Sequence, residues 1–161
     1  MSRALKTRPA KRVSHASLSE AVLASRNSAW TIRRVGGIQI VECNQLAKLP
    51  WLTHGFSTGP GGASRVDGKS VLNLGFTDWD ERKRVEANRS KFQATIAARK
   101  MPLVAMRQIH SDAIHLVPGP LAQAPCGDAL VTQTPNLLLG VQTADCVPIL
   151  LADARRHVVA A

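Results

Sequence analysis

The sequence predicts a mixed α/β chain. One stretch, residues 79–99, has helical periodicity, and around it lies a succession of short β-branched and apolar runs bounded by glycine, proline and asparagine. Composition is the third observation. With 161 residues and 45% hydrophobic content, the chain has material for one domain with a genuine core, since domains hold about 100 to 200 residues. Disorder throughout is thereby excluded.

The first stretch stands apart. Residues 1–28 hold Arg3, Lys6, Arg8, Lys11, Arg12 and Arg26 against the single acid Glu20, and so supply half of the net charge of +10. Six serines and little apolar periodicity accompany them, which reads as a basic, disordered tail. Arg-rich, Ser-rich, acid-poor composition also fits a transit peptide, the second reading. The domain is assigned to residues 29–161.

Residues 30–35 and 38–42 are two β-prone runs separated by Gly36-Gly37, the residues that most easily take the positive φ of a tight turn, so a β-hairpin opens the domain. Residues 51–58 read as an extended run, broken by a Gly59-Pro60-Gly61-Gly62 loop whose glycines imply close backbone approach. Asp78 and Glu81 have the spacing of a capping box. Beyond them Val85, Asn88, Phe92 and Ile96 share one helical face, with Pro102 past the end. Strands are expected at residues 103–109, 113–117, 128–132, 137–143, 147–152 and 157–161. The last three are nearly continuous apolar runs, the pattern of strands covered on both faces. Val158-Val159-Ala160-Ala161 carries no cap, turn or polar terminus, so the chain is expected to be cut there.

No run approaches the roughly 20 apolar residues that span a bilayer, and no signal-peptide core follows the basic start. The expected setting is the cytoplasm, with no membrane partner. Aromatics at 4% and no recognisable module argue against nucleic acid as a partner. Cys43, Cys126 and Cys146 are odd in number and widely spaced, a poor disulfide framework that suits a reducing compartment.

Two segments concentrate chemistry on otherwise apolar runs: Arg107-Gln108-Ile109-His110 at a strand end, and Gln142-Thr143-Ala144-Asp145-Cys146-Val147-Pro148 at a break between strands. Imidazole and thiolate are both good zinc ligands, and two such ligands plus one more make a three-ligand site with an open position. The plainer reading makes His110 a hydrogen-bonded loop residue and Cys146 a small core residue, and a spacing of 35 positions is not itself a zinc motif. His115, between Ile114 and Leu116, reads as solvent-facing on its strand, and His157 as a turn residue.

The run Leu49-Pro50-Trp51-Leu52-Thr53-His54-Gly55-Phe56-Ser57-Thr58, then Gly61-Gly62-Ala63-Ser64 and Leu72-Asn73-Leu74-Gly75, resembles the bacterial laccase-domain (polyphenol oxidase-like) family of purine nucleoside phosphorylases. The resemblance continues through Glu86-Ala87-Asn88-Arg89, Arg107 to His110, Asp128-Ala129-Leu130-Val131-Thr132 and Thr143 to Pro148. It implies a two-sheet α/β sandwich flanked by helices, incomplete at the C-terminus. It also implies zinc held by His110 and Cys146, the catalytic pair, while the family's third ligand, a histidine after a Val-Val-Ala-Ala strand, is not in this sequence. Asn73, Arg107 and Asp145 are the implied substrate-binding residues. Gly59 stands where the family commonly has arginine, the side chain best shaped to grip phosphate, and Arg107 is the candidate to compensate.

The implied reaction is zinc-dependent phosphorolysis of adenosine, inosine, guanosine and methylthioadenosine, with adenosine deamination as a side activity and with low or no activity expected of a truncated chain. Two other classes compete. A cysteine hydrolase would use Cys146 and His110 with Asp128 or Asp145 orienting the imidazole, and a non-catalytic fragment would do no chemistry. Copper oxidase chemistry is disfavoured, because it calls for many histidines in close pairs and the chain has five, none paired.

Overall fold

The computed structural model describes residues 29–161, and the stretch assigned as a basic tail lies outside the described residues. Trp30–Val35 (β1) and Ile38–Cys43 (β2) pair antiparallel from Trp30↔Cys43 to Val35↔Ile38. The turn between them has φ of 56° at Gly36 and 80° at Gly37, as a two-residue hairpin requires. Along β2 the strand period of two sends Ile38 and Ile40 into the core.

The extended run expected at residues 51–58 shortens to Phe56–Ser57 (β3), which pairs with β2. Side chains tie down the residues before it: the Thr53 hydroxyl donates to the Ile96 carbonyl, and His54 Nε2 accepts the Cys43 N–H at 2.9 Å. The glycine loop is corrected too. Pro60–Val66 (β4) is a strand pairing with Lys69–Val71 (β5), and its register shifts between Pro60 and Ser64. Gly61 sits at φ 97°, where a Cβ would overlap the Gly37 carbonyl, so this bulge lies directly on the opening hairpin turn.

The helix, Arg82–Thr95 (α1), is shorter than the expected 79–99, and the capping box does not form: Glu81 is the N-cap, with extended backbone and no side-chain cap bond. Tertiary contacts hold the preceding residues instead. Asp80 Oδ2 accepts from Ser64 Oγ at 2.5 Å and from Asn73 Nδ2 at 2.8 Å, while its Oδ1 accepts the Glu81 N–H. At the other end Ala97 takes φ 59° and the helix stops. The expected face is right: Val85, Asn88 and Ile96 are buried and Phe92 packs against the core.

The remaining strands are Leu103–Ala105 (β6), Ile114–Leu116 (β7), Ala129–Thr132 (β8), Leu138–Gly140 (β9), Leu151–Asp153 (β10) and Val158–Ala160 (β11). Parallel pairs join β6 to β9 and β7 to β8, and β11 lies antiparallel between β8 and β10. The mixed α/β class therefore holds, with the strands in several small sheets and one α-helix among the described residues.

Two apolar clusters form the core. Ile38, Ile40, Leu72, Ile96 and Ala98 make one, and Val104, Met106, Val117, Leu130 and Leu137 the other. β9 separates them, Leu138 packing into the first and Leu139 into the second, so this run is covered on both faces as expected. The run at 147–152 is not. Leu116, Val131, Ala160 and Leu151 are register partners across β7-β8-β11-β10, yet Leu116 is 75% exposed and Leu151 62%. Val147 and Ile149 are exposed as well. The alternation in β7 is thus the reverse of the expectation. Ile114 and Leu116 face outward, while His115 is half-buried with its Nε2 bonded at 2.8 Å to the Cys126 carbonyl.

Candidate functional site

A cleft of about 1160 Å³ opens between the β3 region and the segments around β9 and β11, and its wall includes His54, Gly59, Asn73, Gln142 and Thr143. Trp51 and His157 also line it, their rings stacked 4.6 Å apart, with His157 in the turn before β11 as expected. A smaller concavity of about 300 Å³ adjoins it, lined by Gln108, Asp128, Thr143 and Cys146. Val141, Thr143 and Pro148 border both, so the loop carrying Cys146 is their shared wall.

The larger cleft is built on a buried polar network. Asn88 is fully buried, its Oδ1 accepting the Ala63 N–H at 2.6 Å and its Nδ2 donating to Ser64 Oγ and to the Asn73 carbonyl, both at 2.8 Å. Asn73 donates from Nδ2 to Asp80 and Thr77, and its Oδ1 accepts the Gly75 N–H. Its side chain is engaged in shaping the wall of the cleft. The Ser64 hydroxyl, ahead of bonds from Asn73 and the Glu81 N–H, holds the Asp80 carboxyl below its usual range. Next along the helix, Arg89 Nε reaches the Leu74 carbonyl at 2.8 Å, and its guanidinium lies 4.3 Å from the Phe76 ring centroid. Leu74 O also accepts from Gln142 Nε2 at 2.7 Å, which ties the Cys146 loop to the wall that Asn73 shapes. At Gly59, on the same cleft, a Cβ would meet open space, so room exists where the side chain is missing.

His54 is buried at the base of this wall. Burial lowers its pKa, outweighing the opposing pull of Glu42, so the ring is the neutral form that accepts the Cys43 N–H through Nε2. It was legible only as a motif residue, with nothing local to mark it as an anchor.

The second constellation gathers around Asp128, just before β8. Asp128 Oδ1 accepts the His110 N–H at 3.1 Å, and Oδ2 accepts the Ser111 N–H at 2.6 Å and the Ser111 hydroxyl at 2.9 Å. The Ser111 N–H is the leading cause that depresses the Asp128 pKa, so the carboxylate is ionised at neutral pH. His110 itself takes φ 56°. Through Asp128 the structure brings the backbone of His110 beside the concavity that Cys146 lines. Cys146 is exposed, and its Sγ lies 4.0 Å from Asp145 Oδ1.

Arg107, His110 and Asp145 line neither hollow. The Arg107 guanidinium is directed at Cys126, donating to its Sγ from Nη2 at 3.0 Å and from Nε at 3.3 Å across the 107↔126 bridge, and this contact raises its pKa. The role of compensating cation for Gly59 thus finds no contact here. An acid orienting the His110 imidazole also finds no contact, since Asp128 bonds the backbone of the turn instead.

Imidazole and thiolate at His110 and Cys146 are donors of the kind zinc takes. Among the described residues no group of three or more His, Cys, Asp and Glu side chains is gathered for a metal, so the pair supplies two donors at most. No helix among the described residues is long and apolar enough to cross a membrane.

Residues 53–161 match the family described as multi-copper polyphenol oxidoreductase laccase. A Mycobacterium tuberculosis protein named purine nucleoside phosphorylase is 45% identical over 92 residues, 56% of this chain and 37% of that protein. A Deinococcus radiodurans protein of the same name is 35% identical over 129 residues, covering 78% of this chain and 46% of its own length. Among solved structures, the hypothetical protein YfiH of Bacillus licheniformis aligns with a TM-score of 0.64 and 29% identity over 80% of this chain and 50% of that one. The chain thus spans less than half the length of these two named relatives and half that of the solved structure.

Proposed function

The chain belongs to the multi-copper polyphenol oxidoreductase laccase family, and from that premise we propose that it serves the phosphorolysis of purine nucleosides in the cytoplasm, with a nucleoside and phosphate as its partners. The observation that carries the reading is the Thr143–Cys146 loop as the shared wall of two adjoining hollows, one large enough for a nucleoside and the other beside Asp128 and the His110 turn. The names of the Mycobacterium and Deinococcus relatives support it. Adenosine, inosine, guanosine and methylthioadenosine are the substrates proposed, with adenosine deamination as a side activity.

His110 and Cys146 would hold zinc, with Cys146 as a ligand thiolate and not a free nucleophile. When bound, the metal supplies Lewis acidity and a template for phosphate or water. The chain's own residues do the rest. The Asn88-Ser64-Asp80-Asn73 network keeps the cleft wall rigid, and Gln142 pins the Cys146 loop to that wall through Leu74. The sugar and base occupy the cleft, and the reacting bond lies toward Thr143. In this reading Asp145, whose Oδ1 lies 4.0 Å from the sulfur, orients neighbouring donors.

The test is release of hypoxanthine from inosine by the 161-residue chain and by the Mycobacterium relative side by side, with and without phosphate, measuring bound zinc in parallel. Two protein donors hold zinc more weakly than three. The expected result is phosphate-dependent turnover well below that of the relative and lost in Cys146→Ala and His110→Ala. Release that ignores phosphate, or that survives both substitutions, overturns the proposal.

A further inference from the structure

We propose that Asp128, which lines the same concavity as Cys146, is the positioning residue of this site: its carboxylate holds the turn that carries His110. The inference rests on reading His110 and Cys146 as one site.

Three observations carry it. First, both carboxylate oxygens are spent on consecutive backbone donors, Oδ1 on the His110 N–H and Oδ2 on the Ser111 N–H, with the Ser111 hydroxyl as a further donor to Oδ2. The Ser111 hydroxyl in turn accepts the Ala113 N–H, and the Asp128 N–H donates back to the Ala113 carbonyl, so the turn from 110 to 113 is tied at both ends to the start of β8. Second, His110 is left-handed at φ 56°. A non-glycine residue in that region carries a conformational cost that its surroundings offset, and the Asp128 bonds to residues 110 and 111 supply such a restraint. The φ at 110 sets the direction of its Cα–Cβ bond, so the same restraint fixes where the imidazole leaves the backbone. Third, Asp128 lines the smaller concavity with Gln108, Thr143 and Cys146, which puts the restraint and the other donor on one hollow. Among the described residues Asp145 makes no such backbone bonds, only its 4.0 Å approach to the Cys146 sulfur.

A plain turn cap would make the same bonds, and the double substitution separates the two roles. The 161-residue chain is titrated with zinc alone, in competition with a chromophoric chelator, as wild type, Asp128→Ala, Asp128→Asn, His110→Ala and the Asp128→Ala/His110→Ala double variant. Loss of a group that orients a ligand weakens metal binding by about 10- to 100-fold. Asp128→Ala is expected to fall in that range and Asp128→Asn, which keeps one acceptor oxygen, between it and wild type. The double variant is expected to bind no more weakly than His110→Ala alone, because positioning has no effect without the group positioned. Wild-type affinity in Asp128→Ala, or losses that simply add in the double variant, overturns the inference. Should Asp128→Ala fail to fold, Asp128→Asn carries the same comparison. Metal-free protein labelled in histidine gives a second readout: the His110 ring resonance, assigned by its absence in His110→Gln, moves in both Asp128 variants if Asp128 positions it and stays put if it does not. A shift in both Asp128 variants, together with wild-type protein that binds no zinc, would sink the metal reading and leave the positioning role standing.

Discussion

Replacing Asn88 with alanine removes the centre of the polar network behind the cleft. The side chain is fully buried and makes three hydrogen bonds, accepting from the Ala63 N–H and donating to Ser64 Oγ and the Asn73 carbonyl. A typical hydrogen bond contributes about 1 kcal/mol net, while a buried partner left unsatisfied costs about 1 to 3 kcal/mol. The Ser64 hydroxyl keeps its bond to Asp80, so two backbone groups carry most of the penalty. Both bonds are partly buried, which places the expected loss at about 3 kcal/mol. Against a usual total stability of about 5 to 15 kcal/mol, that is a large fraction. Asn88→Asp is a sharper probe, because it keeps the acceptor for Ala63 N–H yet turns an oxygen toward the Asn73 carbonyl, and it should cost at least as much. Urea unfolding followed by circular dichroism measures both. Losses under about 1 kcal/mol would refute the reasoning, since they would mean that the three partners find replacements without effort and that the network does not hold the wall.

Three further outcomes are expected. The buried, neutral His54 has its pKa lowered in the folded chain relative to the unfolded value near 6.5, so the unfolded state binds more protons in the window below 6.5. Stability should therefore be fully present above that value and fall as the pH drops through the window, whereas His54→Gln should lose less over the same range; urea midpoints with equal slopes in the two proteins would contradict this. Leu130→Ala empties a fully buried position in the second core cluster and should lower stability by about 2 to 5 kcal/mol, measured by thermal unfolding; a loss under about 1 kcal/mol would contradict this. Ile114→Thr with Leu116→Lys alters only the outward face of edge strand β7. The pair should cut binding of the dye ANS and slow aggregation while stability moves by about 0.5 kcal/mol or less, and unchanged dye binding would show that the exposed apolar face lies elsewhere.

Local signals sufficed for much of the fold. The Gly36-Gly37 turn, the pairing of β1 with β2 and the buried helical face of Val85, Asn88 and Ile96 are all decided by residues within a few positions of one another, through positive φ and the periods of 2 and 3.6. The motifs also identified the segments that meet at the cleft: the 72–75 run, Asn88 with Arg89, and the loop from Gln142 to Cys146. Their order along the chain says nothing about which atom of one reaches which atom of another.

That was decided only in three dimensions. The helix begins at Arg82 and not at 79 because Asp80 is taken by Ser64 and Asn73, partners 16 and 7 residues away, which no capping spacing encodes. His115 turns inward and Ile114 outward because the Cys126 carbonyl offers the imidazole a bond and nothing among the described residues covers the far face of the sheet. Arg107 points to the Cys126 sulfur by virtue of a bridge between two distant loops. Between two aspartates of equal chemistry, Asp128 holds the His110 turn and Asp145 lies beside Cys146. A sequence specifies which donors and acceptors exist and their local backbone preferences. Which of them pair depends on long-range packing, since a hydrogen bond needs its partner within about 3 Å and only the folded chain brings residues 18 or 68 positions apart to that distance.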